Sequence, residues 1–562
     1  MEKIIDIKKL FIEKKYKDLI DILDKKTPNN QKNSSLLNLL GSCRLLAGKN
    51  NKESLSLAIK DFRRAYLMEN NTNNSRLAFV NFINTSISLF NYENSISNKK
   101  NSLRHFNEAI NYFEKNKDKL QIHHKIVLAI IRVYKKLINT KKVKYYFYYL
   151  IKNNFKNSFI LTNYIYINCL INEWSQEKFF EYGKILNNSL PRYQEDKLRP
   201  VKIKIKQKIR IGFISADIKN KHSVTYFLKS IFQNYNQAEY EIYLYLNFKK
   251  SEEDETTIFF KKFATTKYIS DLDDIQAIKL IREDNLDFLI DLMGITSKSR
   301  LSLIKNRVAN IQILWCGYCN TTGVENMDYI IADPNLIYKN EKNLYSEKVI
   351  FLPDIWNSHS GMNMTRKFNA CPIQNNKFIT FGSFNSFKKL NDNVIKTWST
   401  ILRKIPNSRL ILKSSSNLID EKILMKFEEE NVLNYINLKS FRKNFEDHME
   451  LYKEIDIALD TFPYNGVTTS FEALWMNVPV ITMKGYNFNS RCGESINKNA
   501  GIENLIALNE EDYIEKACQL SQNVKELVEI RKNIFNNVIN TPLFNSKKFT
   551  YNFFNSLKNL IK

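Results

Sequence analysis

From residue 208 onward, short apolar runs alternate with helical segments, and the alternation stops once and starts again. The first series is "KIRIGFISAD" (208–217), "YEIYLYLNF" (240–248), "LDFLIDLMG" (286–294), "IQILWCGY" (311–318), "MDYIIAD" (327–333) and "EKVIFLPD" (347–354). A polar stretch, "PIQNNK" (372–377), interrupts it. The second series is "FITFGSFN" (378–385), "RLILKS" (409–414), "YINLKS" (435–440), "DIALDTFP" (456–463) and "PVITMKG" (479–485), with helices expected over 392–404, 420–431, 444–454 and 468–476. Runs this short and this apolar are strands buried on both faces, and helices between them cover those faces. The pattern predicts two parallel α/β lobes of Rossmann type, 201–375 and 376–562, with a terminal amphipathic helix, "SKKFTYNFFNSLKNLIK", packing back across them.

Residues 1–200 follow the helical period instead. In "SLLNLLGSCRLLAGKNNKESLSLAIKDFRRAYLMEN" (35–70), Leu39, Leu40, Gly41 and Leu45 mark one helix and Ala58, Ile59, Phe62 and Ala65 the next. Small residues at such spacing let paired helices approach closely, as in tetratricopeptide repeats. A degenerate helical solenoid ahead of the two lobes is the expectation. Such a solenoid presents a long surface suited to binding other proteins, and residues 1–190 are expected to be separable from the two lobes.

The chain has 562 residues, 85 Lys and Arg against 59 Asp and Glu, and a net charge of +26. The lysines are spread along the chain without a recognition motif, so no nucleic-acid partner is expected, although a positive field favours an anionic substrate. No run of apolar residues is long enough to span a membrane, and no separate apolar core follows the first residues as in a signal peptide. Seven scattered cysteines fit a reducing cytoplasm better than a disulfide framework. Cys316 and Cys319 lack a second ligand pair for zinc, and "DLDD" (271–274) reads as a helix cap, so no metal is expected.

The most patterned stretch is "LDTFPYNGVTTSFEALWMNVPVITM" (459–483): strand, Asn-Gly turn, Thr-Thr, helix, strand. The N–H groups of Val467, Thr468 and Thr469 are expected to point out of a helix start, with Gly466 allowing a ligand to come close. Two hydroxyls complete a seat for a phosphate. "SFNSFKKLND" (383–392) follows the first strand of the same lobe and offers Lys388 or Lys389 to the same diphosphate. His448 precedes the turn by one helix, and Glu472 lies one turn into the phosphate helix.

These pieces, in this order, resemble the O-linked N-acetylglucosamine transferase family, which includes SPINDLY-like proteins and bacterial relatives. The resemblance runs from about 208 to 560. It implies tetratricopeptide repeats ahead of two Rossmann-like lobes of GT-B type and an inverting, metal-independent transfer of a sugar, most often N-acetylglucosamine, from a UDP donor to Ser or Thr of proteins. It further implies that His222 is the active-site histidine near the acceptor, that Lys389 meets the diphosphate, and that Val467, Thr468 and Thr469 form the diphosphate turn. His448 falls in the uridine pocket and Glu472 where an acidic residue holds the ribose hydroxyls. Ser386 stands where the family has a nucleotide-contacting glutamine, and Val467 where it has a histidine. Ile295 replaces a histidine of many bacterial relatives, and Cys319-Asn320 replaces Pro-Gly. The same fold serves UDP-glucose transfer to Asn and GDP-fucose transfer to hydroxyls, and a protein-binding scaffold without catalysis is the reading from another class.

Overall fold

The computed structural model describes residues 7–561 apart from 8, 26–32, 49–50, 69–71, 96–99, 172, 194–207, 221, 363, 415–416 and 443. The expected boundary at 200 falls outside the described residues. The chain divides into two compact units, Met1–Phe155 with Ser416–Lys422, and Lys156–Ser415 with Ile423–Lys562.

The first unit is helical. Its clearest pair is Ser34–Ala47 and Lys52–Met68, and Asn33 caps the former by accepting the Leu36 N–H at 3.0 Å. Ala58, Ile59, Phe62 and Ala65 are buried, so the periodic face found in the sequence is the packed face. The later pair, His124–Lys136 and Thr140–Lys152, repeats the arrangement.

The second unit opens with two helices, Ser158–Cys169 and Gln176–Ser189. The first sheet follows, built from β1 (Ile209–Ser215), β2 (Tyr240–Leu246), β3 (Thr265–Tyr268), β4 (Phe288–Asp291), β5 (Ile311–Leu314), β6 (Tyr329–Ala332) and β7 (Lys348–Phe351). Its order is β3-β2-β1-β4-β5-β6-β7, and all its pairings are parallel. The second sheet contains β8 (Ile379–Ser383), β9 (Ser408–Lys413), β10 (Ile436–Lys439), β11 (Ile457–Leu459), β12 (Val480–Met483) and β13 (Ile506–Ala507), in the order β10-β9-β8-β11-β12-β13. Both are doubly wound, as the alternation predicts. In such a sheet the strand order reverses beside the first strand, and the loops leaving the strands there open a crevice. The reversal lies between β1 and β4 in one lobe and between β8 and β11 in the other.

The sequence reading omits β3, "TTKY". It is an edge strand with one neighbour and no fully buried residue, so nothing makes it apolar. The terminal helix, Ser546–Lys558, lies on the helix Ser223–Asn234 of the first lobe. Thr550 donates to the Ser230 carbonyl at 2.9 Å, and the Phe553 ring centre is 4.9 Å from that of Trp315.

The helices Ser158–Cys169 and Gln176–Ser189 belong with the sheets. Gln176 donates to Asn320 Oδ1 at 2.8 Å, and Lys305 donates to the Asn187 and Leu190 carbonyls at 2.6 and 2.8 Å. Gly183 crosses Gly323 so closely that a Cβ on Gly183 would stand 2.8 Å from the Gly323 Cα. Neither position has room for a side chain. The expectation that residues 1–190 are separable is therefore revised: the cut belongs near 155. A protein beginning at 156 is expected to keep its melting temperature. One beginning at 191 loses Ile160, Leu161, Phe179 and Leu186, all buried, at roughly 1.5–3 kcal/mol each. That is most of an ordinary domain's stability, and it is expected to aggregate or melt far lower. Melting curves of the two truncations check this, and a well-folded 191–562 protein would count against it.

Candidate active site

The helix Thr468–Trp475 starts where the sequence places it. Val467 has no side-chain cap bond, and the N–H groups of Val467, Thr468 and Thr469 have no acceptor among the described residues. Three successive open donors at the positive end of a helix favour an anion.

The turn before that helix is held by Asp460, at the carboxyl end of β11. Its Oδ1 accepts the N–H of Gly466 at 2.6 Å and of Thr461 at 2.8 Å, and its Oδ2 accepts the Thr482 hydroxyl at 2.8 Å. Burial pushes the Asp460 carboxyl up to about 6, against these bonds and the nearby Lys389 charge. Gly466 is required for packing rather than for a left-handed backbone. A Cβ there would stand 2.4 Å from Thr469 Oγ1 and 2.9 Å from both Asn385 Oδ1 and Asp460 Oδ1. The room that glycine leaves is thus occupied by the protein's own polar atoms. Asn465 ties the turn to the helix Phe488–Ala500, accepting the Gly493 N–H at 3.1 Å.

Because β8 and β11 are neighbours, the loop after β8 lies beside this turn. Lys389 Nζ donates to the Asn465 carbonyl at 2.7 Å and to Asn385 Oδ1 at 3.3 Å, and lies 4.8 Å from the centre of the Tyr464 ring. Thr469 donates to the same Asn385 oxygen at 3.2 Å. Burial lowers the Lys389 pKa from its ordinary value, and the Asp460 carboxylate opposes this. Lys388 and Ser386 are exposed.

His448 and Glu472 meet in the same lobe, with His448 Nε2 3.0 Å from Glu472 Oε2. Tyr452 donates to that oxygen at 2.9 Å. Burial works against the Glu472 charge, but the His448, Lys413 and Tyr452 partners outweigh it and hold the carboxyl below its ordinary range.

His222, in the first lobe, is exposed and caps the helix Ser223–Asn234, its Nδ1 accepting the Val224 N–H at 3.4 Å. One turn further on, Phe227 meets Phe471, one turn into the helix Thr468–Trp475, with ring centres 5.3 Å apart. The two helices therefore pack against each other close to their starts. His359 packs between these helices, stacked at 5.0 Å on Tyr226 and 6.0 Å from Phe471. It is fully buried, and burial pushes its pKa down to about 4, so it stays neutral.

Asp460, Asn385, Tyr452 and Lys413 escaped the sequence reading. The signal for Asp460 was present, since a carboxylate at a strand end before an Asn-Gly turn is positioned to gather that turn's N–H groups. The others join through tertiary contacts alone. Of the departures, Asn320 is buried and bridges Gln176 to Asn489, donating to the latter at 3.3 Å. Ile295 is buried. Asp273 of "DLDD" caps its helix by accepting the Gln276 N–H at 2.8 Å. Among the described residues, no helix is long and apolar enough to cross a membrane.

Residues 184–377 and 364–553 match the model of glycosyl transferase family 41. A protein of Solanum lycopersicum described as a probable UDP-N-acetylglucosamine–peptide N-acetylglucosaminyltransferase, SPINDLY, is 32% identical over 416 residues, covering 71% of this chain and 43% of that protein. A similarly described SEC protein of Arabidopsis thaliana is 26% identical over 369 residues, covering 62% of this chain and 36% of that protein. The chain thus spans less than half the length of the curated relatives it matches. A mutant O-GlcNAc transferase from Thermobaculum terrenum shares the fold, with a TM-score of 0.72, 20% identity, and 97% and 96% of the two chains covered. With both lobes matched and the fold shared, the chain belongs to glycosyl transferase family 41.

Proposed function

We propose that this chain is an inverting glycosyltransferase that moves a sugar, N-acetylglucosamine by preference, from a UDP donor to Ser or Thr of an acceptor protein without a metal ion. The observation that carries this is the convergence of Lys389, Thr469 and the three open N–H groups of residues 467–469 on one turn. In the reaction the acceptor hydroxyl attacks the anomeric carbon from the face opposite the diphosphate. The bond from that carbon to the phosphate oxygen breaks, and its electron pair leaves with UDP. Lys389 and the helix start meet the charge that develops there, an electrostatic term that is large in a buried site. His222 takes the hydroxyl proton. Its Nδ1 lone pair is engaged by the Val224 N–H, so a neutral ring carries its proton on Nε2, and accepting a second proton means giving up the cap. At 3.4 Å that bond is long and costs little to release. The first unit's helices recruit the acceptor protein.

A UDP titration in EDTA tests the metal-free reading. Affinity is expected to be unchanged by the chelator. A loss of tenfold or more, about 1.4 kcal/mol, counts against it. A donor screen with mass spectrometry of modified proteins identifies the sugar and the acceptor side chain.

A further inference from the structure

Lys413 closes β9 and stands outside the turn, the lysine loop and the phosphate helix. Its Nζ lies 3.4 Å from His448 Nδ1, whose Nε2 in turn lies 3.0 Å from Glu472 Oε2. An ammonium only donates and a carboxylate only accepts. His448 therefore accepts from Lys413 at Nδ1 and donates to Glu472 from Nε2, which selects one tautomer and uses both nitrogens. Tyr452 donates its single O–H to the same Oε2, with its oxygen 3.2 Å from the Thr469 carbonyl, so it braces the carboxylate against the helix Thr468–Trp475. Both bonds to Glu472 fall on Oε2, which leaves Oε1 for a ligand. His448 and Glu472 are 8% and 6% exposed, so neither has bulk water to substitute for a lost partner.

We propose that Lys413 is a positioning residue for the nucleotide ribose: acting through His448, it holds Glu472 in the orientation whose Oε1 accepts a ribose hydroxyl, and so sets the preference for ribonucleotides over deoxyribonucleotides. The inference rests on the UDP reading of this site. Without Lys413 the Glu472 carboxylate still keeps the ring proton on Nε2, but the Nδ1 lone pair is left buried without a donor. The ring is then free to shift or turn to find one, and the carboxylate it holds loses its aim.

The test measures affinities for UDP, 2′-deoxy-UDP and 3′-deoxy-UDP by calorimetry on the full chain and on Lys413→Met, Lys413→Arg and Tyr452→Phe, with melting curves for each. Methionine fills similar space without a donor, and arginine keeps one. The unchanged protein is expected to prefer UDP over at least one deoxy analogue by about tenfold or more, the usual effect of one hydrogen bond to a charged group. Lys413→Met is expected to lose most of that preference while binding the deoxy analogue nearly as before, and Lys413→Arg to retain it. Tyr452→Phe carries the same test should Lys413→Met fail to fold, since it frees Oε2 from its brace and is expected to shrink the preference in part. A folded Lys413→Met with its preference intact, or one that weakens all three nucleotides equally, overturns the inference. Failure of the unchanged protein to bind UDP at all overturns the nucleotide reading itself.

Discussion

His222→Ala is expected to lower sugar transfer by roughly 10²- to 10⁴-fold, the range for a positioned acid–base group, while UDP affinity stays nearly unchanged. The nucleotide contacts proposed above all lie in the second lobe, whereas His222 stands at a helix start in the first. The structure gives this histidine a second duty, because its Nδ1 caps that helix. Loss of a cap by itself costs about 1 kcal/mol of stability and leaves turnover alone. His222→Asn separates the two duties. Asparagine is a good N-cap but no base at neutral pH, so this variant is expected to melt like the unchanged protein and to transfer as poorly as the alanine variant. Melting curves, UDP titrations and transfer rates on both variants decide the matter. Near-normal transfer by a folded His222→Asn protein would remove the histidine from the chemistry and leave it only the cap.

The second large effect is expected at Lys389. Its Nζ is fixed by the Asn465 carbonyl, Asn385 Oδ1 and the Tyr464 ring, beside the open N–H groups of the phosphate helix. A preorganised charge needs no rearrangement as the leaving diphosphate gains charge, and losing such a partner costs roughly 10²- to 10³-fold in rate. Lys389→Ala is therefore expected to fall by that factor. Lys388→Ala, at an exposed neighbouring position, is expected to remain within about twofold, as surface substitutions usually do. Single-turnover rates with saturating donor check both. Equal and mild losses at the two lysines would place the diphosphate elsewhere.

What the sequence alone determined was the succession of elements and the chemistry of the turn. A strand buried on both faces must be a short apolar run, and a helix between two such strands must carry an apolar stripe, so both are written locally in residue order. The helix expected at 392–404 spans Asp392–Lys404 in the structure, and the Thr-Thr helix begins at Thr468 as read. Asn-Gly before two threonines marks a turn into a helix start wherever the rest of the chain goes. Lys389 could be separated from Lys388 only by the family resemblance, and the structure supplies the physical difference, one ammonium held in the turn and its neighbour in solvent.

What only the tertiary structure decided was which polar groups meet. Asn385 meets Thr469 across 84 residues, Lys413 meets His448 across 35, and Gln176 meets Asn320 across 144. Those pairings depend on strand order and on which loops leave the sheet at its reversal, and no local periodicity encodes them. The same cause moved the helices Ser158–Cys169 and Gln176–Ser189 from the repeats to the catalytic unit. Their sequence continues the helical period of the repeats, and only tertiary contacts such as Gln176 with Asn320 and Gly183 across Gly323 show what they pack against. Residue order sets what each segment can bury, whereas the partner that buries it is chosen when the sheets close.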